Sequence, residues 1–227
     1  HARNRNRYYL FLLLALGATM GIFLSGDLYT TFIFFEMMSF ASYVWVVQEE
    51  TPEAISASRS YLTIGVLGGL VTLMGVFLLY HLAGTLQLDA LRDACAAVEN
   101  RRLLYAAGGC ILFGFAAKAG MFPLHFWMPR SYTAAPAPAT AILSAVLSKA
   151  GIFGVLIVSC DMFYRDADWG MLILMLGVVT MLLGAVLGLF SVNLKRTLAY
   201  SSMSQIGFIL VGVGMQGLLG AHNQLAV

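Results

Sequence analysis

The sequence predicts an all-α fold, a polytopic bundle of transmembrane helices. Of its 227 residues, 60% are hydrophobic and only 11% are charged, whereas soluble proteins average about a quarter charged residues. The apolar residues form continuous runs that approach the roughly 20 residues a helix needs to cross a hydrocarbon core of about 30 Å. Because only helices satisfy their own backbone hydrogen bonds over such runs in lipid, the pattern argues against strands and against a soluble domain.

Seven apolar runs have this character, and we predict about seven spans. In chain order they are Tyr8–Leu24, Leu28–Val47, Tyr61–Leu82, Leu103–Trp127, Ala139–Val158, Gly170–Val192 and Thr197–Met215. Residues 1–227 are expected to form a single transmembrane domain. Because the chain lacks an initial methionine and stops soon after the seventh run, we expect it to be part of a longer polypeptide.

The remaining charges lie between these runs and identify the loops. If the helices alternate in direction, basic residues gather on the side of the amino terminus. That side carries Arg3, Arg5, Arg7, Arg59, Arg130, Lys195 and Arg196, against Arg92, Arg101, Arg102 and Arg165 on the other. By the positive-inside rule, the amino-terminal end is predicted to be cytoplasmic. No basic aromatic face suggests nucleic acid as a partner.

The longest connection, Ala83–Arg102, has apolar residues at helical spacing. Leu88, Leu91 and Ala94 alternate there with Asp89, Arg92 and Asp93. This spacing is typical of a short amphipathic helix at the membrane interface. A capped surface loop is the equal alternative.

Lys118 lies deep inside the fourth run and is followed by Pro123. A charge at the centre of a bilayer costs a few kcal/mol, so a membrane protein that retains one tends to use it. The proline lacks a backbone donor and is predicted to kink or break the helix beside the lysine, next to a polar cavity. Snorkelling is the structural alternative, but about ten residues, roughly 15 Å of helix, separate Lys118 from the nearer end of its run.

Glu36 lies among apolar residues in the middle of the second run. A neutral glutamic acid that ties two helices together by a hydrogen bond is the structural alternative for this residue. A pairing with Lys118 gives it a functional interpretation. In such a pair desolvation and Coulomb attraction oppose each other, so a change in their separation loads or releases a proton.

Lys149 lies in the middle of the fifth run, and its Lys-Ala-Gly-Ile-Phe echoes the Lys-Ala-Gly-Met-Phe that begins at Lys118. Two buried lysines on successive helices suggest a proton relay. His125 extends it in one interpretation, since histidine titrates nearest neutral pH, and is a structural donor in the other. Ser144 and Ser148 either carry water or, as we favour, bond back to their own helix.

The three cysteines indicate neither a metal site nor a disulfide framework. Cys95, Cys110 and Cys160 are odd in number and lack metal-ligand spacing. We therefore expect no cofactor and no metal in this chain, and we interpret the cysteines as inert apolar residues.

Several motifs, in order along most of the chain, resemble the antiporter-like membrane subunits of respiratory complex I, group 4 membrane-bound hydrogenases and multisubunit sodium/proton antiporters. The motifs are Gly26–Glu36, Ala117–Pro129, Ala135–Pro138, Leu147–Gly154 and Asn193–Gly207. Two departures are visible. Arg130-Ser131-Tyr132 stands where many members have Asp-Ala-His, and Lys149 stands where one branch has histidine.

The resemblance implies a role for each buried charge. Glu36 corresponds to the family's modulating glutamate, Lys118 to its proton-carrying lysine on a broken helix, and Lys149 to the neighbouring relay residue. It also implies an inverted-repeat transporter fold, in which residues 8–158 form the first five-helix repeat and residues 170–215 the first two helices of a second. The matching charged residue of that second repeat is expected beyond Val227.

The expected function is that of a proton-translocating, non-redox membrane subunit of a complex I-type or hydrogenase-type oxidoreductase. A cation/proton antiporter subunit, with sodium as the other ion, is an alternative, as are a structural membrane scaffold and a seven-helix receptor. The expected partners are the lipid bilayer, protons and other membrane subunits, which supply the electron transfer. The expected location is a bacterial or archaeal cytoplasmic membrane.

Overall fold

Helices account for most of residues 4–221, the part of the chain that the computed structural model describes. Their bounds are α1 Arg5–Leu24, α2 Leu28–Val46, α3 Pro52–Ala83, α4 Leu88–Ala96, α5 Arg101–Ala119, α6 Trp127–Ala134, α7 Ala137–Ile142, α8 Ser148–Ile157, α9 Ala167–Leu189 and α10 Leu194–Ala221. A 3₁₀ turn covers Leu124–Phe126, and π-helical segments cover Leu143–Leu147 and Val158–Met162. No strand is formed within the described range, which confirms the all-α prediction. Arg3, one of the basic residues from which the orientation is predicted, lies outside the described range.

The described residues contain six helical stretches long and apolar enough to cross a membrane. They are Arg5–Leu24, Pro52–Ala83, Arg101–Ala134, Ala137–Met162, Ala167–Leu189 and Leu194–Gly220. Helix α2 is not among them because Glu36 and several hydroxyl side chains reduce its hydropathy. It nevertheless returns along α1, since Arg7 of α1 forms a 2.8 Å ion pair with Glu50, just beyond the end of α2. The count of seven spans stays a prediction.

Two long helices begin earlier than the hydropathy pattern predicts. Helix α3 begins at Pro52 because Thr51 accepts a hydrogen bond from the N–H of Ala54 (3.1 Å) and proline suits a first helical turn. Helix α9 begins at Ala167 because Asp166 accepts one from the N–H of Trp169 (3.1 Å). Hydropathy places both starts too late because polar and charged residues occupy these first turns.

The longest connection contains a short amphipathic helix, α4, rather than a capped surface loop. Leu91 and Cys95 are fully buried on one side, while Arg92 and Asp93 are exposed on the other. The N–H of Leu88 donates a 3.0 Å hydrogen bond to the carbonyl of Gly26. The helix is therefore attached to the loop between α1 and α2.

Cys95 is expected to be unreactive towards alkylating reagents in the folded protein. Burial raises the pKa of its thiol to about 11, so almost no nucleophilic thiolate is present at about neutral pH. In a background carrying Cys110→Ser and Cys160→Ser, maleimide should label Cys95 only after denaturation in SDS. Rapid labelling of the native protein in detergent would contradict this burial.

The helices pack against one another in pairs. Helix α1 packs on α2, α3 on α5, α5 on α8, and α9 on α10. Since lipid is as apolar as leucine, such contacts depend on small residues that let backbones approach. A Cβ atom added at Gly184 of α9 would lie 2.6 Å from the backbone nitrogen of Ser204 in α10. The division into repeats at residues 8–158 and 170–215 stays a prediction.

Candidate functional site

Lys118 lies in the last turn of α5 and is only 5% exposed. Its ammonium group donates a hydrogen bond to the hydroxyl of Tyr61 on α3 and lies 4.2 Å from the centroid of the Tyr61 ring. A hydroxyl acceptor and an aromatic face are both favourable partners for a desolvated cation. The side chain is therefore held inside the bundle and does not snorkel to an interface.

The predicted helix break follows immediately, at Gly120, three residues before Pro123. Gly120 adopts the left-handed conformation, with φ at 81°. Its N–H donates to the carbonyl of Ala117 (3.3 Å), and the N–H of Met121 donates to that of Ala116 (3.0 Å). This is a Schellman ending, which glycine forms without a Cβ penalty. The proline then follows a cis peptide bond after Phe122.

Protein groups satisfy the backbone of the broken segment from two sides. The indole N–H of Trp127 donates to the carbonyl of Ala117 (2.7 Å). The N–H of Phe122 donates to the hydroxyl of Thr180 on α9 (3.1 Å). Irregular backbone at membrane depth needs such partners, because lipid offers none. These hydrogen bonds stabilise the break in the helix, and α9 provides one of them.

Glu36 lies on the half-buried side of α2, with its carboxylate against the backbone of α3. A Cβ atom added at Gly69 would lie 2.5 Å from Oε1 of Glu36, so a side chain there would displace the carboxylate. This Oε1 atom is buried without a hydrogen-bond partner in the described structure. The ion pairs found among residues 4–221 do not include one between Glu36 and Lys118. The two groups are therefore not in direct contact, since Tyr61 takes the ammonium group instead.

Hydroxyl groups and small cavities occupy the region between Glu36 and Lys118. The Ser42 hydroxyl lies 2.5 Å from that of Tyr61 and donates to the carbonyl of Ser39 (3.0 Å). One cavity of about 10 Å³ is lined by Lys118, Tyr61 and Ser39 among others. A second, also about 10 Å³, is lined by Glu36, Ser39 and Tyr61 among others. A small space therefore lies beside the lysine, and most of its lining is apolar.

Sequence reasoning missed Ser39, Ser42 and Tyr61 as members of this site. A signal for the serines was available, because Glu36, Ser39 and Ser42 recur at every third position of α2. Residues three apart on a helix lie on one face. No comparable signal identifies Tyr61, which the hydropathy pattern takes only as the first residue of a span.

Lys149 lies on α8 and does not bond to Lys118. Its half-buried ammonium group donates to the carbonyl of Ser144 (2.7 Å), inside the π-helical segment. Helix α8 nevertheless packs directly on the end of α5. A Cβ atom added at Gly151 would lie 2.6 Å from the backbone nitrogen of Ala119. The structure thus places the two lysine helices in contact while their ammonium groups have different partners.

The serines near Lys149 differ from each other. Ser148 bonds back to the carbonyl of Leu143 (3.2 Å), as expected. Its hydroxyl also lies 3.4 Å from that of Tyr132. Ser144 instead bonds across to Ser202 of α10 (2.7 Å). These hydroxyl groups connect α6 to α8 and the π-helical segment to α10, which the sequence pattern did not indicate.

His125 is not joined to either lysine. It lies in the 3₁₀ turn after the break and is 8% exposed, with its ring 4.6 Å from that of Phe126 and 6.1 Å from that of Phe122. Its Nδ1 atom is buried and has no partner among the described residues. A role in a relay therefore stays a prediction without a contact that supports it.

Metal-ligand clusters are absent from residues 4–221. No group of three or more His, Cys, Asp or Glu side chains is arranged there to hold a metal ion. The amine of Lys118, the hydroxyl groups and the carboxylate of Glu36 are groups that are able to exchange protons.

Comparison with known proteins gives a consistent result. The family model described as "NADH:quinone oxidoreductase/Mrp antiporter, TM" matches residues 25–227. The chain is 34% identical over 226 residues to a Na(+)/H(+) antiporter subunit of Alkalihalophilus pseudofirmus, covering 99% of this chain and 45% of that protein. It is 33% identical over 224 residues to a hydrogenase-4 component of Escherichia coli, covering 93% of this chain and 33% of that protein.

A solved structure has the same fold. A chain in the structure of the Mrp complex from a Dietzia species superposes with a TM-score of 0.84 at 28% identity, covering 90% of this chain and 39% of that one. The chain thus spans less than half the length of these similar proteins.

Proposed function

The chain belongs to the NADH:quinone oxidoreductase/Mrp antiporter family of membrane proteins, and on this premise we propose that it is the proton-translocating part of an antiporter-like subunit in a complex I-type or hydrogenase-type redox complex. The observation that supports this most strongly is Lys118, a lysine 5% exposed at the end of a broken helix. Retaining such a group in an apolar bundle is costly, and proton transfer explains its retention.

In the proposed mechanism Lys118 gains and loses the translocated proton. Tyr61 holds its ammonium group by a hydrogen bond. Glu36, whose Oε1 atom has no partner within the described residues, supplies a carboxylate whose Coulomb interaction with Lys118 depends on their separation. Lys149 is the next proton carrier because α8 contacts the end of α5 at Gly151. His125 is a further candidate, beyond the break.

A cation/proton antiporter subunit is the second candidate. It is favoured by the 34% identity to a Na(+)/H(+) antiporter subunit, whereas the 33% identity to a hydrogenase component favours a redox complex. In either case we propose that the chain contains no redox centre and acts together with other membrane subunits.

The distribution of charge supports the proposed orientation, with the amino-terminal end in the bacterial or archaeal cytoplasm. Lys195 donates to the carbonyl of Ala135 (2.7 Å), and Arg130 and Arg196 line one groove. These basic residues thus gather at one end of the bundle. Arg101 forms a 2.6 Å ion pair with Asp166 at the other end. Basic residues favour the cytoplasmic side.

The proposal predicts that Glu36→Gln slows proton translocation. The amide has the same shape but carries no charge, so it neither binds a proton nor attracts Lys118. We expect the initial rate to fall by about tenfold, a modest effect for loss of a proton-transfer group. The measurement is acidification of inverted vesicles containing the assembled complex, followed by acridine orange fluorescence. Glu49→Gln, at a glutamate in the loop after α2, is the matched control.

The same vesicles distinguish the two candidate functions. Acidification that starts on addition of a reductant favours the redox complex, whereas release of a preformed pH gradient by NaCl favours the antiporter. A Glu36→Gln complex that assembles and translocates protons at the wild-type rate in both assays would favour the structural scaffold instead.

A further inference from the structure

We propose that the hydroxyl group of Ser39 relays protons between Glu36 and Lys118 through two cavities that each hold one water molecule, an inference that rests on the proposed function. The starting observation is the gap between the two charged groups. No ion pair joins them in the described part of the chain, so a proton that passes from one to the other needs a bridge.

Ser39 lies on the face of α2 that connects the two groups. Glu36 is one turn before it and Ser42 one turn after it, and residues at this spacing share a helix face. Both neighbours contact α3, Glu36 through Gly69 and Ser42 through Tyr61. Ser39 therefore faces the same interface, midway between the glutamate and the partner of Lys118.

The two cavities meet at this serine. Ser39, Tyr61 and Gly65 line both of them, Lys118 lines only the first and Glu36 only the second. Each has a volume of about 10 Å³, which is near the minimum of about 10–15 Å³ for one water molecule. A water molecule in each cavity would connect Lys118 to Ser39 and Ser39 to Glu36.

Two polar atoms on this route lack partners. Ser39 is 6% exposed, and neither its Oγ atom nor Oε1 of Glu36 makes a hydrogen bond within the described residues. Leaving a buried polar atom unpaired costs about 1–3 kcal/mol. Water in the two cavities satisfies both atoms, which is the physical reason to place it there.

The hydrogen bonds of Tyr61 exclude it as the exit for the proton. Each hydroxyl group has one proton to donate. Ser42 gives its proton to the carbonyl of Ser39, so Tyr61 gives its own to Ser42 and accepts from Lys118. A carbonyl group has no proton to donate, so the series of hydrogen bonds from Lys118 through Tyr61 and Ser42 ends at the carbonyl of Ser39. Tyr61 is thus a positioning residue that holds the ammonium group beside the first cavity.

The transfer balances without any other reactant. The ammonium group of Lys118 gives a proton to the first water, which passes one of its own protons to Ser39 Oγ. Ser39 gives its hydroxyl proton to the second water, which protonates the carboxylate of Glu36. The products are a neutral amine and a neutral carboxylic acid, and the reverse sequence restores the charged pair.

The test uses Ser39→Ala in the complete polypeptide within its assembled complex. We expect the initial rate of vesicle acidification to fall by about tenfold. This is less than the roughly 10²–10⁴-fold contribution that a positioned proton-transfer group usually makes. The solvent deuterium isotope effect on the rate should rise, because proton transfer becomes the slow step. Ser39→Thr keeps the hydroxyl group and should keep the rate. Ser58→Ala, at a buried serine that bonds back to Ile55, is the matched control.

Lys118→Met, measured in parallel, separates the relay from the function on which it rests. Loss of translocation in Lys118→Met together with wild-type rates in Ser39→Ala would overturn the relay and leave the proposed function standing. Wild-type translocation by Lys118→Met would overturn both. A normal isotope effect in a slow Ser39→Ala complex would also overturn the relay, since it indicates only a structural role.

Discussion

Replacement of Lys118 by methionine is expected to abolish proton translocation by the assembled complex. Methionine fills a similar apolar volume but carries no proton and cannot donate to Tyr61, the partner of the lysine in the wild type. We expect the initial rate to fall by at least about 100-fold, because the substituted group carries the proton itself. The measurement is acidification of inverted vesicles, normalised to the amount of complex in the membrane.

A matched control is Arg59→Met, which removes an exposed cation that lies in the first part of α3. It should leave the rate within about twofold of the wild type, because exposed charges contribute little energy. Translocation by the Lys118→Met complex at more than half the wild-type rate would show that the proton path avoids this residue.

Replacement of Gly151 by valine is expected to destabilise the bundle and to disrupt the contact between the two lysine helices. A Cβ atom at this position would lie 2.6 Å from the nitrogen of Ala119 and 2.7 Å from the carbonyl oxygen of Phe115. Both are backbone atoms of α5, so no side chain can move aside. Such overpacking typically costs about 1–3 kcal/mol, and we expect a lower melting temperature in detergent and less assembled complex.

Gly109→Val supplies the comparison for this variant. Gly109 also lies inside α5, but a Cβ atom there has no atom within 4 Å. Its replacement should change the melting temperature much less than that of Gly151. Equal melting temperatures for the two variants would mean that α5 and α8 do not approach as closely as the structure shows.

The two Lys-Ala-Gly copies show where sequence similarity fails to predict structure. In the first copy Gly120 has a left-handed conformation and ends α5. In the second, Gly151 stays inside α8 and packs against Ala119 of the first copy. The difference arises downstream, because Pro123 prevents the helix from continuing, whereas Ile152 and Phe153 allow it. Both copies have glycine at this position, but the role of the glycine depends on the neighbouring residues and on packing.

The helical class and the break beside Lys118 could be predicted from sequence because both follow from local properties, hydropathy and proline chemistry. The partner of Lys118 could not. Glu36 offers the obvious opposite charge, yet the ammonium group is bound by Tyr61, whose position depends on how α3 crosses α5. Likewise, the π-helical segment that places the Ser144 carbonyl against Lys149 has no signature in the residue pattern. Tertiary contacts of this kind need the structure.

The most direct test of the account is the initial rate of proton translocation by a Lys118→Arg complex. Arginine keeps the positive charge and the ability to donate to Tyr61, but its guanidinium group does not release a proton in proteins. If Lys118 carries the proton, the assembled Lys118→Arg complex should be as inactive as Lys118→Met. Translocation at the wild-type rate would show that only a fixed positive charge is needed at this position, and it would contradict the proton-carrying role on which the account depends.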